Sequence, residues 1–283
     1  MAARITFGLL SAAALFAGLA LRGAGVLVGI TLLFLVFVPL EKLFALRKQK
    51  TFRRGWGTDV VHIVVNNTVS TVVGIAIAVV LALPLIWLRP LDLEAQLPVE
   101  ASIGLAIAIV VLGSYWGHRL SHTVPFLWRF HAVHHSIEEM DWLASGRLHP
   151  LDSAFTTACF LTPLLVLGYD GGVFAGAAVF ITALAIFQHS NVRLRFPGVR
   201  WIINTPQWHH WHHSAHAEAL NKNFGVPVID RLFGTAYLPK GVYATEFGTP
   251  DPVPEASYSR QMAYPFTQAA RQGAAAEPAT MGA

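Results

Sequence analysis

The chain is 283 residues long; charged side chains make up only 13% of it, and the apolar set reaches 54%. Soluble proteins carry roughly 25% charged residues, and a mean hydropathy of +0.51 excludes both a free-standing cytosolic protein and a disordered one. Twenty basic against sixteen acidic residues leave a formal charge of +4. The basic residues fall mainly in loops beside apolar runs, which argues against a nucleic-acid-binding stripe. The one cysteine, Cys159, lies inside an apolar run, so neither a disulfide framework nor a cysteine metal site is available. This is the composition of an integral membrane protein.

In chain order, apolar runs cover Ile5–Leu21 and Gly25–Leu40, separated by the corner Arg22-Gly23-Ala24. The first reads as a retained span paired with the second in a helical hairpin, rather than as a cleaved signal peptide, because no convincing cleavage site follows it. Val60–Leu88 is long enough to cross with tilt, and Ala101–Gly117 follows. A spanning helix needs about 20 apolar residues. Ala154–Tyr169 and Val173–Gln188, around the turn Asp170-Gly171-Gly172, are short by that measure and are expected to form a hairpin dipping into the bilayer. On the third span Asp59, His62, Asn66 and Ser70 recur at i, i+3, i+7 and i+11. One polar stripe on an apolar helix should face the bundle, where interhelical hydrogen bonds hold it.

The loop between the second and third spans holds Lys42, Arg47, Lys48, Lys50, Arg53 and Arg54, whereas the next loop sets Arg89 against Asp92, Glu94 and Glu100. The positive-inside rule places the first of these loops in the cytoplasm. Residues from His118 to Gly146, and those after Gln188, then lie on the cytoplasmic side of what is expected to be the cell membrane. The expected architecture is all-α: N-terminal transmembrane helices over 1–100, a catalytic region over 101–240 whose cytoplasmic helical cap holds a dimetal site, and a flexible tail over 241–283, where Pro, Ala and Gly accumulate from Gly248 onward.

Twelve of the thirteen histidines lie between His118 and His216. His118 and His122 form H-x-x-x-H; His131, His134 and His135 form H-x-x-H-H; His209, His212 and His213 repeat that pattern. Spacings of three and four put side chains on one helical face. A lone histidine at a membrane boundary is more often a polar anchor, but three such clusters on one side need a purpose. Eight converging imidazoles exceed what one metal can bind, which points to two metals. Neither H-E-x-x-H nor the paired Glu-x-x-His of ferritin-like sites is present. All-nitrogen ligands suit Zn, Fe, Cu or Ni alike.

The order H118RLSH122, H131AVHH135, H209HWHH213 resembles the fatty acid hydroxylase/sterol desaturase superfamily of membrane di-iron oxygenases. Supporting segments are Arg147-Leu148-His149-Pro150, Asn221-Lys222-Asn223-Phe224-Gly225 and Asp230-Arg231-Leu232-Phe233-Gly234-Thr235. The resemblance covers about Ser114 to Thr235. It implies two iron ions, O2 as oxidant, a lipid substrate that is hydroxylated or desaturated, and an external electron donor of ferredoxin, cytochrome b5 or reductase type. It also implies one further ligand upstream of the third box, a place that His189 occupies.

The remaining polar residues of the region are expected beside the metals rather than on them. His149, before Pro150, reads as a helix-start element. His210 points about 100° away from His209 on the helical period, and His216 lies one step beyond the cluster. Asp141, Asp152 and Asp230 flank the boxes and could accept the second N–H of a metal-bound imidazole; a helix cap or loop charge is the plainer reading of each. Two rivals use the same cluster differently. A metal transporter predicts polar residues repeated through several spans, and a membrane zinc hydrolase requires an acid acting on water.

Overall fold

The computed structural model of the chain describes residues 25, 27–194, 198–254 and 257–273. The expected span Ile5–Leu21 lies outside the described residues. Those residues form helices and loops with no β-strand among them, only isolated bridges at Ala45–Val192 and Ser214–Phe247. Helix α1 covers residues 27–43, with Leu27, Leu32 and Leu35 more than half exposed. Helix α2 (Trp56–Ala82) continues through Pro84 into a 3-10 turn, Leu83–Leu91, and the short α3 (Leu93–Gln96) leads to α4 (Val99–Thr123). Pro125 disfavours helical backbone at Val124, which is extended, so α4 stops there and α5 (Pro125–His135) starts in a new direction. Helices α6 (Pro150–Val166) and α7 (Gly171–His189) form the next hairpin.

Among the described residues three stretches are long and apolar enough to cross a membrane: Val69–Arg89, Val99–Thr123 and Gly171–His189. The expectation of two short helices is therefore corrected for α7. Its 19 residues begin at the Asp170 cap, whose carboxylate accepts from Gly172 and Val173, two residues earlier than hydropathy alone suggests. Helix α6 remains the shorter one at 17 residues.

Helix α6 is wedged between α2 and α4, and glycines set the approach. A Cβ on Gly113 would lie 2.7 Å from Phe160 Cα, one on Gly117 would lie 3.2 Å from Cys159 Sγ, and one on Gly74 would lie 3.2 Å from Thr157 Cβ. Gly113 and Gly117 are a small-xxx-small pair, the arrangement that lets helix backbones meet where lipid removes any hydrophobic drive to associate. Around this contact Ala78, Val110, Phe160, Leu161 and Leu164 form the core between the spans. The polar stripe faces the bundle as expected: Asp59, His62, Asn66 and Ser70 are all at most 7% exposed.

The short helices α8 (Pro206–His212), α9 (Pro227–Leu232) and α10 (Tyr258–Ala263) lie at the ends of the spans that carry the histidines. The stretch 257–273, expected to be flexible, instead packs on the body: Gln261, Tyr264 and Ala270 are buried. Composition misjudged it because a few polar contacts hold it. Gln261 Oε1 lies 2.5 Å from His62 Nε2, and the Tyr258 hydroxyl donates to Asn66 Oδ1 at 2.7 Å. His62 and Asn66 of the polar stripe thus each receive a partner from the far end of the chain.

Candidate metal centre

Nine histidines converge in two adjoining groups. His118, His122, His131, His135 and His212 form one, and His134, His189, His209 and His213 the other; within each group the ligating nitrogens lie within 4.8 Å of one another. The last two turns of α4 supply His118 and His122, α5 supplies His131, His134 and His135, α7 ends on His189, and α8 with the residue after it supplies the remainder. Because α5 presents residues of both groups from one helix, the two pockets share a wall; the rings of His135 and His213 stack across it at 4.3 Å.

Tautomers decide whether these groups are hydrogen-bond clusters or ligand sets. His118 Nδ1 lies 2.7 Å from the Phe224 carbonyl, His134 Nδ1 3.0 Å from that of Arg147, His189 Nδ1 2.6 Å from that of Ala185, and His212 Nδ1 2.8 Å from that of Lys222. His131 Nδ1 lies 2.9 Å from Asp152 Oδ2. A carbonyl or carboxylate only accepts, so each of these Nδ1 atoms carries the proton and leaves a bare lone pair on Nε2. Yet His118 Nε2 lies 3.1 Å from His131 Nε2, and His134 Nε2 lies 3.1 Å from His189 Nε2. Two lone pairs at that distance repel unless a cation sits between them. The separation suits nitrogens bound to one ion at about 2.0–2.1 Å. His122 Nε2 is buried with no partner among the described residues, and a bound metal would supply one. The donor set fits a metal in each group.

Burial, and then the neighbouring imidazoles, hold His134, His135, His209, His212 and His213 well below the ordinary histidine range. Neutral imidazole is the ligating form, so at pH 7 the rings need lose no proton before they bind.

The other expected residues separate. Asp152, on the first turn of α6, accepts from His131 and also from the Ser121 hydroxyl at 3.1 Å. Asp230 touches no histidine; it accepts from the Phe224 and Gly225 amides at 2.8 and 2.9 Å and from the Thr235 hydroxyl at 2.7 Å. It therefore shapes the turn whose Phe224 carbonyl holds His118. Asp141 caps the 3-10 turn Trp142–Gly146 and pairs with Arg53. His149 caps α6 and rests on Phe130. His210 Nε2 lies 3.4 Å from the His189 carbonyl, and His216 packs against Trp211. None of His149, His210 and His216 belongs to either group. Sequence reasoning missed Arg53 and Arg147 as buried partners of Asp59; a lone aspartate opening an apolar span was the available signal.

A cavity of about 540 Å³ runs from between the spans to the histidines. Val111, Phe160 and Ile181 line its apolar part, His62, Asn66 and Ser70 one polar wall, and His118, His131, His134, His189 and His209 its end. Both groups therefore open onto the same space.

Membrane-length helices that end on paired histidine pockets define a membrane protein built to hold metal at the end of an apolar cavity. The sequence profile of the fatty acid hydroxylase family matches residues 103–235. The chain is 30% identical over 254 residues to ornithine lipid hydroxylase OlsE of Rhizobium tropici, covering 87% of this chain and 75% of that one. It is 29% identical over 197 residues to alkylglycerol monooxygenase of Danio rerio (64% of this chain, 43% of that one) and 32% identical over 128 residues to that of Homo sapiens (44% and 28%). The matches thus span less than half the length of these two monooxygenases. No solved structure matches. The chain belongs to the fatty acid hydroxylase family.

Proposed function

We propose that this protein is a membrane lipid hydroxylase that binds two iron ions, one in each histidine group, and uses O2 with electrons from an external donor. The observation that carries this reading is the pairing of unprotonated Nε2 atoms at the end of a cavity that opens between apolar spans. Imidazole alone does not choose the metal. The relatives do favour a redox ion: they are named as a hydroxylase and as monooxygenases, and zinc has no redox chemistry. The same names favour hydroxylation over desaturation and speak against the hydrolase and transporter readings. Bound in these groups, the irons supply the activation of O2 and the attack on an unactivated C–H bond.

The protein's share is placement. Val111, Phe160 and Ile181 offer an alkyl chain an apolar bed that excludes water, and the buried histidines meet it where the cavity ends. A volume of about 540 Å³ falls within the ~300–1,000 Å³ usual for small-molecule sites. The carbonyls of Phe224, Arg147, Ala185 and Lys222, with Asp152, keep the Nδ1 protons and hold the rings. We place the site on the cytoplasmic side of the cell membrane, on the strength of the basic residues from Lys42 to Arg54, and take residues 101–240 as the catalytic region.

The test is a metal count on detergent-purified protein together with lipid extracts of cells with and without the gene. Two irons per chain and a lipid gaining one oxygen from labelled O2 are expected; one zinc per chain, or metal content that varies without a fixed ratio, overturns the reading. Reporters inserted after Gln207 and near Glu94 should read cytoplasmic and exterior respectively, and the reverse pattern overturns the orientation.

A further inference from the structure

Four charged side chains that no metal group uses are buried together beside the second pocket. Arg53, Asp59, Asp141 and Arg147 are each at most 5% exposed. Arg147 forks onto Asp59, with Nε 2.6 Å from Oδ1 and Nη2 3.2 Å from Oδ2. Arg53 Nη2 bridges Asp59 Oδ2 at 2.7 Å and Asp141 Oδ1 at 2.6 Å, and its Nε reaches Asp141 Oδ2 at 2.8 Å. Two positive and two negative charges cancel. Even so, buried ion pairs are weak evidence for stability, because apolar replacements are often as good or better; the network calls for another explanation.

Its geometry offers one. The Arg147 carbonyl accepts the Nδ1 proton of His134. The Arg147 amide donates to the Ala144 carbonyl at 3.0 Å, and the Ala144 amide donates to Asp141 Oδ1 at 2.9 Å. The Arg147 side chain is thus fixed directly to the start of α2, and the turn before it is tied there through Asp141 and Arg53. Gly55, at φ +76°, passes so close to the Arg147 guanidinium that a Cβ there would collide with it. The first pocket is held otherwise, by Asp152 and by the carbonyls of Phe224 and Lys222.

We propose that the Arg53–Asp59–Arg147–Asp141 network is a positioning device for the second pocket: it fixes the Arg147 carbonyl, and through it the His134 ring, so that breaking it releases metal from the four-histidine group and leaves the five-histidine group filled. This rests on the two-metal reading above.

The experiment compares metal per chain in purified wild type, Asp59→Asn, His134→Ala, His118→Ala and the doubles of Asp59→Asn with each histidine variant, with helical circular dichroism and monodisperse elution as the fold readout. Wild type should hold two metals and Asp59→Asn about one. Asp59→Asn with His134→Ala should match either single variant, since both act on one site. Asp59→Asn with His118→Ala should hold close to none. Both metals retained in Asp59→Asn, or both lost equally from a folded protein, overturns the proposal. Should Asp59→Asn fail to fold, Arg147→Lys replaces it: this keeps the charges paired but loses the fork. It should release one metal to a chelator roughly 10–100-fold more readily than wild type, the range for groups that orient ligands; equal behaviour of the two metals overturns the proposal. Wild type with fewer than two metals counts against the two-metal reading itself, whereas two metals in both wild type and variant counts against the network alone.

Discussion

The carboxylate of Asp152 lies 2.9 Å from Nδ1 of His131, both side chains are buried, and the two come from different helices, α6 and α5. A single proton between them fixes the tautomer of His131 and aims its Nε2 at His118. Burial works against the charged form of a carboxylate, and a position this enclosed is tolerable because His131 and Ser121 both donate to it.

Asp152→Asn should therefore weaken retention of one metal by about 10–100-fold, as loss of a ligand-orienting carboxylate does, while the second metal stays. Chelator titration of the purified variant, with iron read per chain, checks this. Two metals retained with wild-type affinity would show that the aspartate is only a helix-start charge.

His189 and His210 separate on the same measurement. His189 Nε2 lies 3.1 Å from both His134 Nε2 and His209 Nε2, whereas His210 Nε2 reaches the His189 carbonyl and its ring packs on Phe247. His189→Ala should lose metal and activity nearly as severely as His212→Ala. His210→Ala should keep both metals and lose at most about 10–100-fold in activity. An emptied site in His210→Ala with full occupancy in His189→Ala would reverse the assignment.

Much of this centre was legible because histidine spacing is a local signal. H-x-x-H-H on one helix shows which rings share a face before any tertiary contact is known, but it does not show that His134 parts from His131 and His135, or His212 from His209 and His213, to serve different groups. What holds the rings was not legible: Phe224, Arg147 and Lys222 act through backbone carbonyls, to which side-chain identity gives no clue. The partners of Asp59 are Arg53, six residues away, and Arg147, 88 residues away; no local pattern links the second pair. The order of residues 257–273 was hidden for the same reason, since Gln261 reaches His62 across 199 residues.

His210 contributes one defined part of the pH response of metal-free protein. Burial lowers its pKa from 6.5 to about 4. Between those values the unfolded ring takes up a proton and the folded ring does not. The stability His210 contributes is thus fully present above pH 6.5, falls as pH drops towards about 4, and is constant below that. The full swing is on the order of 3 kcal/mol, because each tenfold loss of proton affinity on folding is worth about 1.4 kcal/mol. His210→Gln removes this ionisation, so its melting temperature should fall less steeply than that of wild type between pH 6.5 and 4. Parallel curves for the two proteins would show that the ring titrates alike folded and unfolded.

The last prediction concerns the helix contact that carries the first pocket. His118 and His122 ride on α4, Asp152, the partner of His131, sits on α6, and the two helices meet at Gly113 and Gly117. A Cβ on Gly113 would fall 2.7 Å from Phe160 Cα and 2.8 Å from the Cys159 carbonyl, both backbone atoms that no rotamer change can move aside. Gly113→Ala must therefore push α4 away from α6, at a cost of about 1–3 kcal/mol, the usual range for overpacking. Gly104 is a control on the same helix, because a Cβ there meets nothing within 4 Å. Gly104→Ala should leave melting temperature and metal content unchanged or slightly improved, since alanine favours helix over glycine. Gly113→Ala should lower the melting temperature and loosen the metal of the five-histidine group first, because only that group has ligands on α4. Thermal denaturation with metal release followed in parallel distinguishes the two variants, and Gly113→Ala behaving like Gly104→Ala would mean that the helices do not meet this closely in the membrane.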